Sequence, residues 1–150
     1  MGDCVFCQIV AGNSPASVFY EDDIVIGLMT IGPVNPGHAM IIPKAHASGL
    51  VDLPEDTGRH LWTIAQRTAA AIRESGLKCE GINLFLADGK AAFQEVFHVH
   101  LHVFPRYKGD PFKLTADWSI KPSRDELDRV AGQIKLAYDR LWERASEDSD

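Results

Sequence analysis

The chain lacks the features that would place it in several large functional classes. It has no basic excess: 15 Lys and Arg stand against 21 Asp and Glu, a formal net charge of −6. An extended nucleic-acid partner needs a basic stripe and is therefore not expected, although a mononucleotide in a local pocket is compatible with that charge. No apolar run approaches the roughly 18 residues of a membrane span, so no membrane partner is expected. Cysteine is scarce and odd in number, Cys4, Cys7 and Cys79, which argues against a disulfide framework. The opening "MGDCVFCQIVAG" has no apolar leader, carries Asp3 where a signal peptide would be basic, and lacks the Ser or Thr of a myristoylation signal. The expected location is the cytoplasm. There is no internal repeat or linker, and 150 residues are most economically one domain, burying roughly 70% of the unfolded surface.

What the sequence concentrates is histidine. Three of its six His stand at every second position in "FHVHLHVFPR", Phe97 to Arg106. Phe97, Val99, Leu101 and Val103 alternate with His98, His100 and His102, the period of a half-buried strand. Such a strand puts the imidazoles on one face about 6.8 Å apart and the four apolar residues against a core. Pro105 cannot donate to a ladder, so pairing is expected to stop there. A solvent-facing strand would not need three His. Three chemical readings stay open: a metal site, nucleophilic catalysis by one ring with its neighbours supplying protons and charge, and anion binding without turnover. The outer two rings, about 13 Å apart along a regular strand, could not share one ion.

Around this strand the pattern predicts strands at 17–20 and 24–30 about an Asp22-Asp23 turn, a Pro/Gly-rich loop, a strand at 39–42 ended by Pro43, and another at 82–86. A helix is expected from Pro54 to Ser75, with Glu55 and Asp56 in its first turn, Gly76 just past its end, and Leu61, Ile64, Ala65, Thr68 and Ile72 on one face. His60 lies off that face and reads as a surface residue. A second helix starts at "SRDE", where Ser123 and Glu126 form a capping box, and places Leu127, Val130, Ile134, Tyr138 and Leu141 together. The tail "ERASEDSD" reads as polar and frayed. Strands joined by hairpins and loops, without strict βα alternation, give an α+β domain.

With these residues in place the chain resembles the histidine-triad (HIT) superfamily of nucleotide hydrolases and transferases. "HVHLHVF", preceded by Gln94, fits its alternating signature, and "CVFCQIVAG", "VFYEDD", "NPGHAMIIPKAH", "GINLFLADG" and "PRYKGD" are similar to family segments in the same order. The resemblance implies an antiparallel sheet of about five strands with two main helices. It also implies a homodimer with the sheets joined, a core at 1–112, and a C-terminal extension at 113–150 packed on it. It implies cleavage of nucleoside phosphoramidates or related phosphoesters at the α-phosphorus through a nucleotidyl-histidine intermediate. His100 would be the nucleophile, His102 would bind phosphate oxygens and His38 would approach from a facing loop. Leu28, Thr30, Ile31, Gln94, Glu95 and Val96 would contact the nucleotide. Two residues have plainer readings: His38 as a strand cap and Gln94 as a loop-capping amide. A nucleotide-binding or protein-interaction module with little turnover is the alternative function, and a metal-dependent hydrolase using the triad itself a third.

"CVFC" alone is half a zinc site, and a redox reading would need a preceding strand. Bacterial members of the resembled family complete such a site with a "PKxH" histidine and the first triad histidine, which here implies structural Zn²⁺ on Cys4, Cys7, His46 and His98. Cys79 reads as a buried thiol. The nucleotide pocket departs from the family pattern: Thr30 replaces an Asp that grips ribose, Ala87 an Asn, Phe93 a small residue and Glu95 a hydroxyl. A carboxylate beside a phosphate is repelled by roughly 4 kcal/mol at 4 Å and an effective dielectric of 20. Glu95 is therefore expected to turn away, to be protonated, or to pair with a cation on the leaving portion of the substrate.

Overall fold

A computed structural model describes residues 4–142; the expectation for the tail 143–150 lies outside them. Strands β1 (Val18–Glu21), β2 (Val25–Met29), β3 (Ala39–Pro43), β4 (Gly81–Phe85) and β5 (Leu101–Arg106) form one sheet in the order β1-β2-β3-β5-β4. Every neighbouring pair is antiparallel. The helices are α1 (Val5–Val10), α2 (Glu55–Glu74) and α3 (Arg124–Trp142). This is the expected α+β fold, with one short helix added at the start.

The central strands β2, β3 and β5 are buried on both faces, and period-two alternation decides which residue serves which face. From β2, β3 and β5, Val25, Ile41, Leu101 and Val103 pack against Leu61, Ile64, Ala65 and Ile72 of α2. The intervening Ile26, Leu28, Met40 and Ile42 pack under Phe6 of α1. Double burial explains why these strands read as near-continuous apolar runs. The α2 boundaries follow the sequence signals, with Pro54 before the first turn, Glu55 and Asp56 in it, and Gly76 at φ +79° beyond the end.

The described chain separates into two compact units, one up to Phe112 and one from Lys113 onward. In the second, Ser123 Oγ accepts the Glu126 N–H at 3.2 Å while the Glu126 carboxylate accepts the Ser123 N–H at 2.8 Å, the reciprocal box that starts α3.

Three expectations need correction. The histidine strand begins at Leu101, not Phe97, because the Val99 N–H turns aside to the Ala47 carbonyl at 2.7 Å and the His98 N–H to Val96. Phe97 is exposed rather than in the core. Pairing also passes through Pro105, which sits opposite Ile82, with Arg106 opposite Gly81. The Pro105 carbonyl accepts from Asn35 Nδ2 at 2.9 Å, and a strand residue's N and C=O share one side. The missing N–H therefore faces the side where β3 has already ended, and the β4 ladder loses nothing.

The third correction is His60. Its Nε2 lies 2.6 Å from Asp22 Oδ2, which also accepts the Tyr20 hydroxyl at 2.8 Å; Asp22 Oδ1 accepts the N–H groups of Ile24 and Val25 at 2.8 Å each. The half-buried cluster ties the β1–β2 turn to α2. Burial opposes ionisation of Asp22, but the donors from Val25, His60, Tyr20 and Ile24 outweigh it and hold the carboxyl well below its usual range. The stabilisation is complete above the unfolded-state pKa of about 3.9 and is lost as pH falls through it toward the depressed folded value. Asp22→Ala is expected to cost about 2–3 kcal/mol and His60→Ala about 1 kcal/mol in urea unfolding at pH 7. The gap between wild type and Asp22→Ala should narrow at pH 3; a constant gap would show that the carboxylate's charge contributes nothing.

Candidate functional site

Two groups of side chains meet where the segment before β5 passes α1. In the first, Cys4 at the N-cap of α1 and Cys7 inside it face His46, just past β3, and His98. Cys4 Sγ to His98 Nδ1 is 3.4 Å, Cys7 Sγ to His46 Nδ1 3.4 Å and Cys7 Sγ to His98 Nδ1 3.6 Å. The two Nδ1 atoms are 3.2 Å apart, and all four ligand atoms lie within 4.8 Å of one another. His98 is completely buried and its Nε2 donates to the Pro43 carbonyl at 2.7 Å. The proton is thus on Nε2, and Nδ1 presents one lone pair to three neighbours, more than one acceptor can serve. A cation at the centre resolves that crowding. Tetrahedral bonds of about 2.05 Å to N and 2.3 Å to S would set N–N edges near 3.3 Å and N–S edges near 3.6 Å, close to the one N–N and three N–S spacings above. These four residues could hold a metal ion. Burial, then the neighbouring Cys4 thiol, raises the Cys7 pKa, and burial lowers that of His98.

The second group is His100, His102 and His38. The His100–His102 ring centroids are 4.9 Å apart; His100 precedes β5 while His102 sits within it opposite Met40. His100 Nδ1 donates to the His98 carbonyl at 2.7 Å, so its Nε2 carries a lone pair. The Val34 N–H donates to His38 Nδ1 at 3.0 Å, which leaves the proton of His38 on Nε2, 2.9 Å from His102 Nδ1. His38 therefore donates to His102, and the remaining proton of His102 is on its outer Nε2. A run of hydrogen bonds fixes all three tautomers. The turn that carries His38 depends on Gly37 at φ +96°, where an added Cβ would come within 2.8 Å of Leu77.

Sequence reasoning placed these histidines but missed what holds them. Phe6 stands edge-on to both His98 and His100, with centroids at 5.8 Å and 5.1 Å. The Val34 N–H and the carbonyls of Pro43 and His98 are backbone groups that no side-chain pattern announces. Phe6 lies inside "CVFC", so an amphipathic reading of that short stretch could have found it.

The nucleotide-contact candidates separate. Leu28 is buried beneath Phe6 in the core, whereas Ile31 is fully exposed. Thr30 uses its hydroxyl to accept the Gly32 N–H at 3.3 Å. Gln94, 4% exposed, commits both amide N–H groups to the carbonyls of Ser48 and Val96 at 2.7 and 3.2 Å. Its oxygen accepts the Gly89 N–H at 2.8 Å, so the loop-capping alternative describes its contacts. Val96 packs against the α1-side core and Glu95 is exposed. Cys79, half-buried, donates to the Gly81 carbonyl at 3.3 Å.

Residues 11–109 match the HIT domain. The chain belongs to the HIT family. It is 38% identical over 138 residues, 91% of its length and 95% of the relative's, to an uncharacterized HIT-like protein of Mycobacterium tuberculosis. It is 34% identical to an adenylylsulfatase of Arabidopsis thaliana, over 88% of this chain and 66% of that one. It is 28% identical to an adenosine 5′-monophosphoramidase of Schizosaccharomyces pombe, over 87% and 93%. A Zn-bound histidine triad family protein of Mycobacterium smegmatis superposes with a TM-score of 0.72 at 43% identity, covering 91% of this chain and 98% of that one. The family thus includes hydrolases of adenylyl compounds. No helix among the described residues is long and apolar enough to cross a membrane.

Burial, then the nearby rings of His100 and His38, pushes the pKa of His102 down to about 4. Its imidazole resonances are expected to stay flat from pH 8 to 5 and to move only near pH 4. The unfolded ring takes up its proton near pH 6.5, so the folded chain should lose stability as pH falls below about 6.5, on the order of 2 kcal/mol after allowance for partial exposure. Titration of the folded ring near 6.5 would show the site to be wetter than its packing indicates.

Proposed function

We propose that this HIT-family chain is a nucleotide hydrolase or nucleotidyl transferase that cleaves nucleoside phosphoramidates or related phosphoesters at the α-phosphorus, with His100 as nucleophile. The observation that carries the reading is the fixed tautomer of His100: with Nδ1–H bonded to the His98 carbonyl, Nε2 is free to attack. The Nε2–P bond forms as the bond from phosphorus to the leaving nitrogen or oxygen breaks, and the departing atom takes a proton from solvent, which the attacking water later restores. The ring keeps its Nδ1 proton, so the intermediate is cationic, and the buried His98 carbonyl faces that charge. Water then attacks phosphorus and returns the Nε2 lone pair, releasing the nucleoside monophosphate. His102, neutral at physiological pH, offers its Nε2–H to a phosphate oxygen. His38, whose ring is committed to His102 and Val34, is a positioning residue in this scheme. The adenylyl hydrolases among its relatives support this choice of chemistry.

The ion at Cys4, Cys7, His46 and His98 is read as structural zinc, in keeping with the donor set and the Zn-bound relative. A Cys₂His₂ set leaves no open coordination position for a substrate, and zinc held there would bind α1, and with it Phe6, to the segment that carries His100. A homodimer joined through β4 also belongs to this reading. That strand is an edge of the sheet with Leu84 and Phe85 exposed, and an unpaired edge is a template for a second strand.

Incubation with an adenosine phosphoramidate of a fluorescent amine should release the amine. His100→Ala should reduce release by on the order of 10⁴ or more, and His102→Ala by about 10²–10⁴. Mass spectrometry of quenched wild type should find a nucleotidyl group on His100. Amine release without any such adduct would overturn the nucleophile; tight nucleotide binding without release would favour the binding-module alternative. A stoichiometric zinc content is expected, with chelation lowering Tm and Cys7→Ser abolishing retention. If chelation stopped release while the melting curve stayed put, the metal would be catalytic instead.

A further inference from the structure

We propose that Glu95 selects the leaving portion of the substrate, favouring a leaving group that carries a positive charge on an apolar stem and disfavouring an anionic one. The proposal rests on the hydrolase reading above and deepens it.

Glu95 is held in place by its neighbours. The Gln94 side chain bridges across it to the Val96 carbonyl at 3.2 Å and anchors the loop to Ser48 at 2.7 Å, and the His98 N–H returns to the Val96 carbonyl at 2.9 Å. The backbone on both sides of the carboxylate is therefore fixed, yet among the described residues no side chain pairs with the carboxylate itself. It lines a cavity of about 320 Å³ whose other walls are Cys4, Val5, Val96 and Phe97. The cavity shares Cys4 and Val96 with the residues packed on the α1-side core. Two of its walls, Cys4 and Val5, are the residues directly before Phe6, whose ring is set against His100 at 5.1 Å. A largely apolar wall with a single unpaired carboxylate on a held backbone is the complement of an alkyl or aryl ammonium, or of a guanidinium.

Its position assigns it to the leaving side. Thr30 and Ile31 follow the end of β2 where Met29 pairs with Ala39, and Ala39 in turn pairs with Val103 beside His102. Glu95 shares its cavity with Cys4 and Val5, and Cys4 Sγ lies 3.4 Å from His98 Nδ1, at the end of β3 where the Pro43 carbonyl meets His98. A nucleotide whose phosphorus lies at His100, with its nucleoside toward Thr30 and Ile31, extends its leaving portion toward Glu95. A sulfate or phosphate leaving group would meet the carboxylate as a like charge; an amine with a distal ammonium would meet it as a partner.

The test uses three adenosine phosphoramidates of one diamine, with the distal nitrogen left as ammonium, acetylated, or succinylated to end in a carboxylate. For the wild-type protein, kcat/KM should fall from cation to neutral to anion by roughly 3- to 10-fold per step, the range of a rim charge pair. The order should flatten in high salt. Glu95→Gln should collapse the ratio of cation to anion toward one, and Glu95→Lys should invert it. The Kd of the same three compounds for His100→Ala, which does not turn them over, gives a reading independent of chemistry. An equal ratio in wild type and Glu95→Gln, in Kd as in kcat/KM, would overturn the assignment of Glu95. Charge-ordered binding with no release by wild type would retain that assignment and overturn the hydrolase reading.

Discussion

The ring and backbone of His98 are the constraint on which the rest of the site depends. One nitrogen donates to Pro43 at the end of β3, the other faces two cysteines and a second imidazole, and the carbonyl receives the Nδ1 proton of His100. These three directions cannot be satisfied along a regular strand, because a strand carbonyl is committed to its ladder. The chain therefore enters β5 only at Leu101. The irregular segment before it frees the His98 carbonyl for His100. A complete strand from Phe97 would have left His100 without the His98 carbonyl that fixes its tautomer, a poorer arrangement for any chemistry that needs one defined lone pair.

The same residue links the two groups of side chains. Phe6 touches both His98 and His100, and α1 has only six residues, too few to be stable as an isolated helix. What keeps Phe6 over the rings is its packing with Ile26, Leu28, Met40 and Ile42 together with the contacts of Cys4 and Cys7. In the proposed reading the ion contributes to catalysis only through this placement. It supplies no electrophile, yet the wall of the nucleophile's pocket is attached through its ligands.

Much of this was legible in the sequence. Apolar runs bounded by turn signals predicted the other four strands to within one residue at each end and the histidine strand four residues too early, and capping signals bounded α2 and started α3, because those features follow from local geometry. The four residues of the candidate metal cluster and the three rings of the candidate catalytic group came from motif resemblance, and the structure brings each set together. Features decided by tertiary partners were not legible. Pro105 reads as a strand breaker until Asn35 is known to occupy its unpaired side. His60 reads as a surface residue until the Asp22 turn is folded against it. Gln94 offers the donors a phosphate would want, but Ser48, 46 residues earlier in the chain, takes one of them. Helix α1 is shorter than the window in which helical periodicity can be counted.

These differences divide the site into two parts with different tolerance to change. The three rings and the metal-ligand candidates, all but the exposed His46 buried or half-buried, hold one another through close contacts, so a substitution at any one of them disturbs several. The surrounding residues are of the opposite kind. Ile31, Phe93 and Glu95 are exposed and make no bond that the fold requires. Phe93 even adopts φ 67°, a left-handed conformation costing a bulky residue roughly 1–2 kcal/mol, and with 82% exposure it gains little packing in return. If the buried rings determine that a phosphorus centre is attacked, the rim determines which compounds reach it. Substrate choice in this chain should then change by substitution at Phe93 and Glu95 without rebuilding the fold beneath them.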